Sequence, residues 1–240
     1  MLVEVCANSL ESALNAQTAG ADRIELCTEL DVGGITPSFG LISEVKKHLD
    51  IPIHVLIRPR SGHFTYSDFD FEVMKRDIAF CKDVGADGIV SGALQRDFTL
   101  DLSKMEALMQ IARPLKFIFH RAFDWVEDPI ATLKQLEDLE VNGILTSGQS
   151  PSAEQGIELL QKLKDVSSKT TIIAGGGIRP ENCHVFLNAG LEALHLSGTA
   201  FLSHIDTDDK INMTSSKHIQ ESSIAVTQTE TIRQIVASVK

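Results

Sequence analysis

The chain has 240 residues, of which 43% are hydrophobic and 23% charged, and its formal net charge is −11. Such a length suits one large domain or two small ones with a substantial buried core, and the balance of residue types is that of a soluble globular protein. The negative charge disfavours nucleic acid as a partner, and no apolar run approaches the ~20 residues that span a bilayer, so a membrane is not an expected partner either.

In chain order, β-rich runs predict strands over 2–6 (LVEVC), 22–27 (DRIELC), 53–58 (IHVLIR), 87–92 (DGIVSG), 115–121 (LKFIFHR), 142–147 (NGILTS), 170–175 (TTIIAG) and 192–197 (EALHLS). The start MLVEVCANS has no basic segment leading into an apolar one, which argues against a signal peptide and for a cytoplasmic protein with four reduced cysteines. Gly20, Gly85 and Gly190 stand where helices stop. Thr36-Pro37 reads as an N-cap followed by a first-turn proline, and Ser67, with Asp68 and Asp70 behind it, as another helix start. Phe71, Met74, Ile78 and Cys81 fall at helical spacing, as do Leu102, Met105, Met109 and Ala112. Residues 203–224 are polar and aperiodic and read as a long flexible loop, after which Ile232, Ile235, Val236 and Val239 resume a helical stripe.

Eight strands alternating with helices predict a (β/α)8 TIM barrel, a parallel eight-stranded α/β fold, as a single domain over 1–240; a doubly wound open sheet is the alternative. In such a barrel the chemistry sits at the C-terminal ends of the strands. There the sequence places Glu4 and Cys6, Glu25 and Cys27, Arg58 and Arg60, Ser91, His120, Arg121 and Asp124, Thr146 and Ser147, Gly175 to Gly177, and His195, Ser197 and Gly198; strand beginnings look mostly apolar.

Alternation puts Glu4 with Cys6, and Glu25 with Cys27, on the inward face, and Val3, Val5, Ile24 and Leu26 under the helices. A buried carboxylate needs a partner, and Arg58 or Arg60 is the expected one for Glu25, either as a structural ion pair or within a site. His120, with His195 after it, is the general acid–base candidate, and Asp124 either orients His120 or caps a turn. The glycines of GGGIRPEN (175–182) and SGTA (197–200) let backbone N–H groups approach a phosphate, or serve as tight turns. GGITPS (33–38) is a weaker version, and PRSGHFTYS (59–67), with Gly62 as hinge, reads as a loop that delivers Arg60, His63 or Tyr66, or as an ordinary exposed loop. Cys6 and Cys27 together suit a soft metal, copper(I) or zinc, or simply line the core; Cys81 and Cys183 read as structural.

The motifs EVCANSLESALNAQTAGADRIELCTELDVGGITPSFGLI, IRPRSGHFTYSDFDFEVMKRDI, GADGIVSGAL, FHRAFD, ILTSGQ and GGGIRPEN, in this order over about residues 1–200, resemble the CutC family of copper homeostasis proteins. The resemblance implies a TIM barrel, a cytoplasmic location, a homodimer or higher homo-oligomer, and a copper ion held by Cys6 and Cys27. LQRDFTLD (94–101) departs from the family pattern, which leads one to expect Gly at the position of Phe98. Two functions stay open. One is a copper-binding protein. The other is an enzyme, of isomerase or lyase type, on a small phosphorylated or otherwise anionic ligand. In it Glu25, His120 or His195 moves a proton, Arg58 and Arg60 hold charge, and Glu4, Arg121, Asp124, Ser147 and the two glycine loops bind substrate.

Overall fold

The computed structural model describes residues 1–203, 205–207, 209–211, 213 and 221–240. Eight parallel strands close into a barrel: β1 (Leu2–Ala7), β2 (Arg23–Leu26), β3 (Ile53–Leu56), β4 (Gly88–Ser91), β5 (Lys116–Phe119), β6 (Gly143–Thr146), β7 (Thr171–Gly175) and β8 (Ala193–Leu196). The β1–β8 pairing, Leu2 beside Ala193 through Val5 beside Leu196, shuts the ring. The surrounding helices are α1 (Leu10–Thr18), α2 (Phe39–His48), α3 (Asp68–Asp83), α4 (Leu102–Ala112), α5 (Pro129–Asp138), α6 (Ile157–Val166), α7 (Cys183–Asn188) and α8 (Thr229–Val239). The expected (β/α)8 barrel is what forms. Among the described residues, no helix is long and apolar enough to cross a membrane.

Local chemistry sets the helix ends. Ser67 accepts from the Asp70 N–H and the Asp70 carboxylate answers to the Ser67 N–H, a reciprocal cap on α3. Thr36-Pro37 does not start α2. Ser38 caps it, while the Thr36 hydroxyl accepts from the Arg58 N–H at 2.9 Å and ties the loop after β2 to the end of β3. Gly20, Gly85 and Gly190 end α1, α3 and α7 in left-handed conformation, at φ 88°, 80° and 73°. Glu140 does the same after α5 at φ 65°, with Val141 N–H reaching back to the Leu136 carbonyl at 3.0 Å.

The core has two shells. Between barrel and helices lie Val3, Val5, Ile24 and Leu26, met by Met74, Ile78 and Cys81 of α3 and by Ile232, Ile235 and Val239 of α8. The α4 stripe is Met105, Leu108 and Ala112; Leu102, the first residue of that helix, stays exposed and Met109 is half-buried. Inside the barrel, Cys6, Cys27, Leu56, Val90, Ile118, Leu145, Ile173 and Ala193 form a second apolar cluster.

The expected loop over 203–224 is narrower at both ends. After β8 the chain forms β9 (Thr199–Ser203), which pairs antiparallel with β10 (Ser223–Thr227), so Ser203, Ser223 and Ile224 are strand residues. Residues 204, 208, 212 and 214–220 of that span lie outside the described residues. The return strand is stitched to α1 and its lead-in: Asn8 Nδ2 donates to Ala225 O at 3.1 Å, Asn15 Nδ2 to Thr227 O at 3.0 Å, and Thr227 N–H to Ser12 Oγ at 3.1 Å.

Candidate functional site

A column of charge runs up the inside of β1, β2, β3 and β8. Glu4 is fully buried, and strand register sets it beside Arg23 on one side and His195 on the other. Its Oε1 accepts from His195 Nδ1 at 2.8 Å, and its Oε2 bonds to Arg23 Nε with His54 Nδ1 at 3.7 Å. Burial works to raise the Glu4 pKa, but the His195 hydrogen bond and the charges of Arg23, His195 and His54 hold it at about 2. Glu25, one step higher, is the opposite case. Its Oε2 is buried without a hydrogen bond and lies 3.8 Å from His195 Nδ1, beyond bonding distance. Burial pushes it up to about 7, against the attraction of His195 and with the repulsion of Glu4. Burial alone depresses His195, but Glu25, Cys6 and Glu4 outweigh it and raise this histidine well above its ordinary value.

Neither arginine expected beside Glu25 is there. Arg58 gives its guanidinium to the carbonyls of Val32, Gly34 and Gly62, each at 2.8 Å, and packs over the Phe64 ring at 5.2 Å. Arg60 turns outward to Asp70 at 3.1 Å and to the carbonyls of Ser61, His63 and Thr65. The two guanidiniums act as spools for the loop 59–67, and the residue this loop brings to the barrel mouth is Phe64. The glycines of 33–34 likewise serve Arg58: both are left-handed, their N–H groups bond to Leu30 and Glu29 carbonyls, and they are not an anion cradle.

The sulfurs of Cys6 and Cys27 converge to 3.3 Å. The mutual hydrogen bond first, and burial second, raise the Cys6 thiol well above its usual range. Ligand atoms of Cys6, Glu25 and His195 lie within 4.8 Å of one another, a grouping able to hold a metal ion. These three residues, with Gly33, Leu56, Arg58, Phe64, His120, Arg121 and Leu145, line a cavity of about 100 Å³ at the barrel mouth. Cys81 and Cys183 are buried on α3 and α7, away from it.

His120 faces this cavity as a neutral imidazole. Burial, reinforced by Arg58, lowers its pKa to about 3. Its Nδ1 accepts from Ala122 N–H at 3.3 Å, its Nε2 has no partner among the described residues, and the Phe64 ring lies tilted against it at 4.8 Å. Asp124 does not orient it. That carboxylate accepts from the Thr146 hydroxyl, from Ser147 N–H at 3.0 Å, from Gln149 N–H at 3.2 Å and from Arg121 Nε at 2.8 Å. Asp124 and Ser147, whose Oγ accepts from Arg121 Nη2 at 2.9 Å, therefore aim Arg121 at the mouth. Above it, Gly176 and Gly177 are left-handed (φ 115° and 74°), and their N–H groups donate to nothing among the described residues. A Cβ on Gly176 would stand 3.5 Å from Arg121 Nη1. Gly175 and Gly198 have packing roles instead: a Cβ there would meet Leu145 and Ile232 side chains at 2.5 Å. Ser197 takes the Thr227 hydroxyl on its carbonyl at 3.1 Å.

Arg23 and His54, absent from the expected site, complete the column. Both were legible: Arg23 is two residues before Glu25 and His54 two before Leu56, so alternation turns them inward. Strand beginnings are accordingly not apolar. Arg23, His54, Lys116 and Asn142 line a cavity of about 440 Å³ at the opposite end of the barrel.

Among known proteins, the CutC family model matches residues 1–200. A CutC family protein of Salmonella agona is 45% identical over 201 residues, covering 84% of this chain and 81% of the relative. One from Edwardsiella ictaluri is 46% identical over 197 residues, covering 82% and 78%. The crystal structure of a CutC protein from Streptococcus agalactiae, named for a proposed role in copper homeostasis, superposes with TM-score 0.79 at 32% identity over 82% of this chain and 98% of that one. Thiamine phosphate pyrophosphorylase of Pyrococcus furiosus, at 14% identity and TM-score 0.61 over 99% and 95% of the two chains, shares the fold alone. With a family model covering residues 1–200 and relatives at these identities, the chain belongs to the CutC family.

Proposed function

We propose that this chain takes part in copper homeostasis by binding one copper(I) ion between Cys6 and Cys27 at the barrel mouth. The observation that carries the reading is the meeting of the two sulfurs at 3.3 Å on neighbouring strands, with His195 and Glu25 beside Cys6. Two thiolates are a soft donor set, suited to copper(I) rather than to magnesium or calcium. The residues fit the ion with a condition: Cys6 is held protonated, so binding must displace its proton. His195 is then the cation that offsets the added thiolate charge beside Glu25. The reading includes a cytoplasmic location, where thiols stay reduced, and a homo-oligomer. Anaerobic copper(I) titration against a competing chelator tests it. One tightly bound copper per chain is expected, with apparent affinity rising about 100-fold per pH unit if both thiols lose protons. The same stoichiometry in the protein carrying both Cys6→Ser and Cys27→Ser rules the site out.

A second reading, proton transfer on a small anionic substrate, is favoured by one specific observation. Glu4 and Glu25 share a histidine, yet their pKa values are driven apart to about 2 and about 7. This split leaves one permanent anion and one carboxyl able to give and take a proton near neutrality. Arg121 and the N–H groups of Gly176 and Gly177 offer the substrate's anion a place on the same rim. Thermal shift with a panel of sugar phosphates separates the two readings. A response that survives the double Cys→Ser change and disappears in Arg121→Ala supports the enzyme.

A further inference from the structure

Phe64 lines the barrel mouth, and its ring meets that of Trp125, which lines a second, larger cavity of about 620 Å³. Arg60, Tyr66, Arg96, Phe98 and Trp125 are among the residues that line it, and neither function proposed above uses them. Its aromatic side is built from rings that remain accessible. Trp125 is 47% exposed and Phe98 44%, and they meet edge to face at 6.2 Å, with Phe64 meeting Trp125 at 5.1 Å. Phe98 occupies its place at a cost: its φ is +61°, a left-handed conformation that a Cβ disfavours. The strain gains no core packing, because the ring stays at the surface. It does present an aromatic face to the cavity.

The polar side is equally specific. Arg96 makes no hydrogen bond or ion pair among the described residues. Tyr66 is 5% exposed, and its hydroxyl is buried without a partner. The carboxylate in the lining, Asp70, is already engaged by Arg60 and by the cap of α3, so it does not neutralise Arg96. The cavity therefore combines aromatic faces, one uncommitted cation and one unsatisfied hydroxyl. A ring that stacks on Trp125 and carries a negative group reaches all three. With a net charge of −11, a polynucleotide is a poor source of that ring, whereas a small molecule is a good one.

We propose that this cavity is a binding site for a planar aromatic small molecule bearing a phosphate or carboxylate, its ring against Trp125 and Phe98 and its anion at Arg96 and the Tyr66 hydroxyl. The chain's single tryptophan makes the test direct. Protein labelled with fluorotryptophan gives one fluorine resonance, and naphthyl phosphate is titrated against it, with inorganic phosphate and naphthol as the two halves. Naphthyl phosphate is expected to shift the resonance saturably and to bind at least about 10-fold tighter than either half, about 1.4 kcal/mol of ΔG. Arg96→Met is expected to weaken it about 10-fold at unchanged Tm. Phe98→Gly tests the strained ring: it should raise Tm by about 2–4 °C, by relieving the backbone, while lowering affinity several-fold. No shift up to about 10 mM naphthyl phosphate, or affinity equal to that of naphthol, overturns the proposal, as does unchanged affinity in both variants.

Discussion

Glu25→Gln isolates the least comfortable charge in the barrel. Burial pushes the Glu25 pKa up to about 7, from the 4.5 of a solvent-exposed glutamate. A carboxyl with a raised folded pKa favours the native state while it is protonated. The native state therefore binds more protons than the unfolded chain between pH 4.5 and pH 7, and stability from this group is lost as pH rises through that window. At 1.36 kcal/mol per unit, the separation amounts to about 3 kcal/mol. Glutamine imitates the protonated form at every pH and so escapes the loss. In urea melts of the metal-free protein with a chelator present, the stability of Glu25→Gln relative to the parent should rise by about 3 kcal/mol between pH 4.5 and pH 8, or about 6–12 °C in Tm for a chain of this length. Glu25 is itself the largest of the influences that raise His195, so glutamine also lowers that histidine's pKa; the variant then loses less stability through His195 as pH rises, which widens the gap in the same direction. A gap that is constant with pH, or that narrows as pH rises, would mean that Glu25 is ionised in the native barrel and would refute the reasoning.

Glu140→Gly should stabilise the chain by about 1 kcal/mol, because it puts at the end of α5 the residue that three other helices already use; the Arg113 contact it removes is exposed and adds little. A Tm rise of about 2–4 °C is the readout, and an unchanged or lower Tm contradicts it. Gly88→Ala should destabilise by about 1–3 kcal/mol, since the new Cβ would fall 2.4 Å from Cδ2 of the buried His54 ring. Parent-like urea melts would show that the ring can move aside.

Much of the barrel was readable because two signals agree along most of the chain. Alternation in LVEVC and RIEL sorts Glu4, Cys6 and Glu25 from Val3, Val5, Ile24 and Leu26, and glycine marks three helix ends. Reading failed where the partner of a side chain depends on a distant loop. Arg58 looks like the natural counter-ion for Glu25, yet backbone carbonyls of 32, 34 and 62 claim it, and a carbonyl leaves no trace in residue identity. Asp124 falls four residues after His120, but a short 3-10 turn over Arg121–Trp125 swings it towards Thr146 and Ser147. The hairpin of β9 and β10 was missed because it pairs positions 20 or more residues apart across a polar stretch with no period.

Glu4 belongs to both ends of the barrel at once. One oxygen holds His195, which faces the mouth; the other holds Arg23, which lines the basic cavity at the far end with Lys116 and Lys169. The two openings therefore share a single anion and are not electrically independent. An anion entering the basic cavity competes with Glu4 for Arg23 and strengthens the grip of Glu4 on His195. A ligand at the mouth that draws off the His195 proton frees Glu4 for Arg23 and weakens that anion's hold. By thermodynamic reciprocity the two effects are equal, so an anion bound at one end of the barrel shifts the ligand affinity of the other.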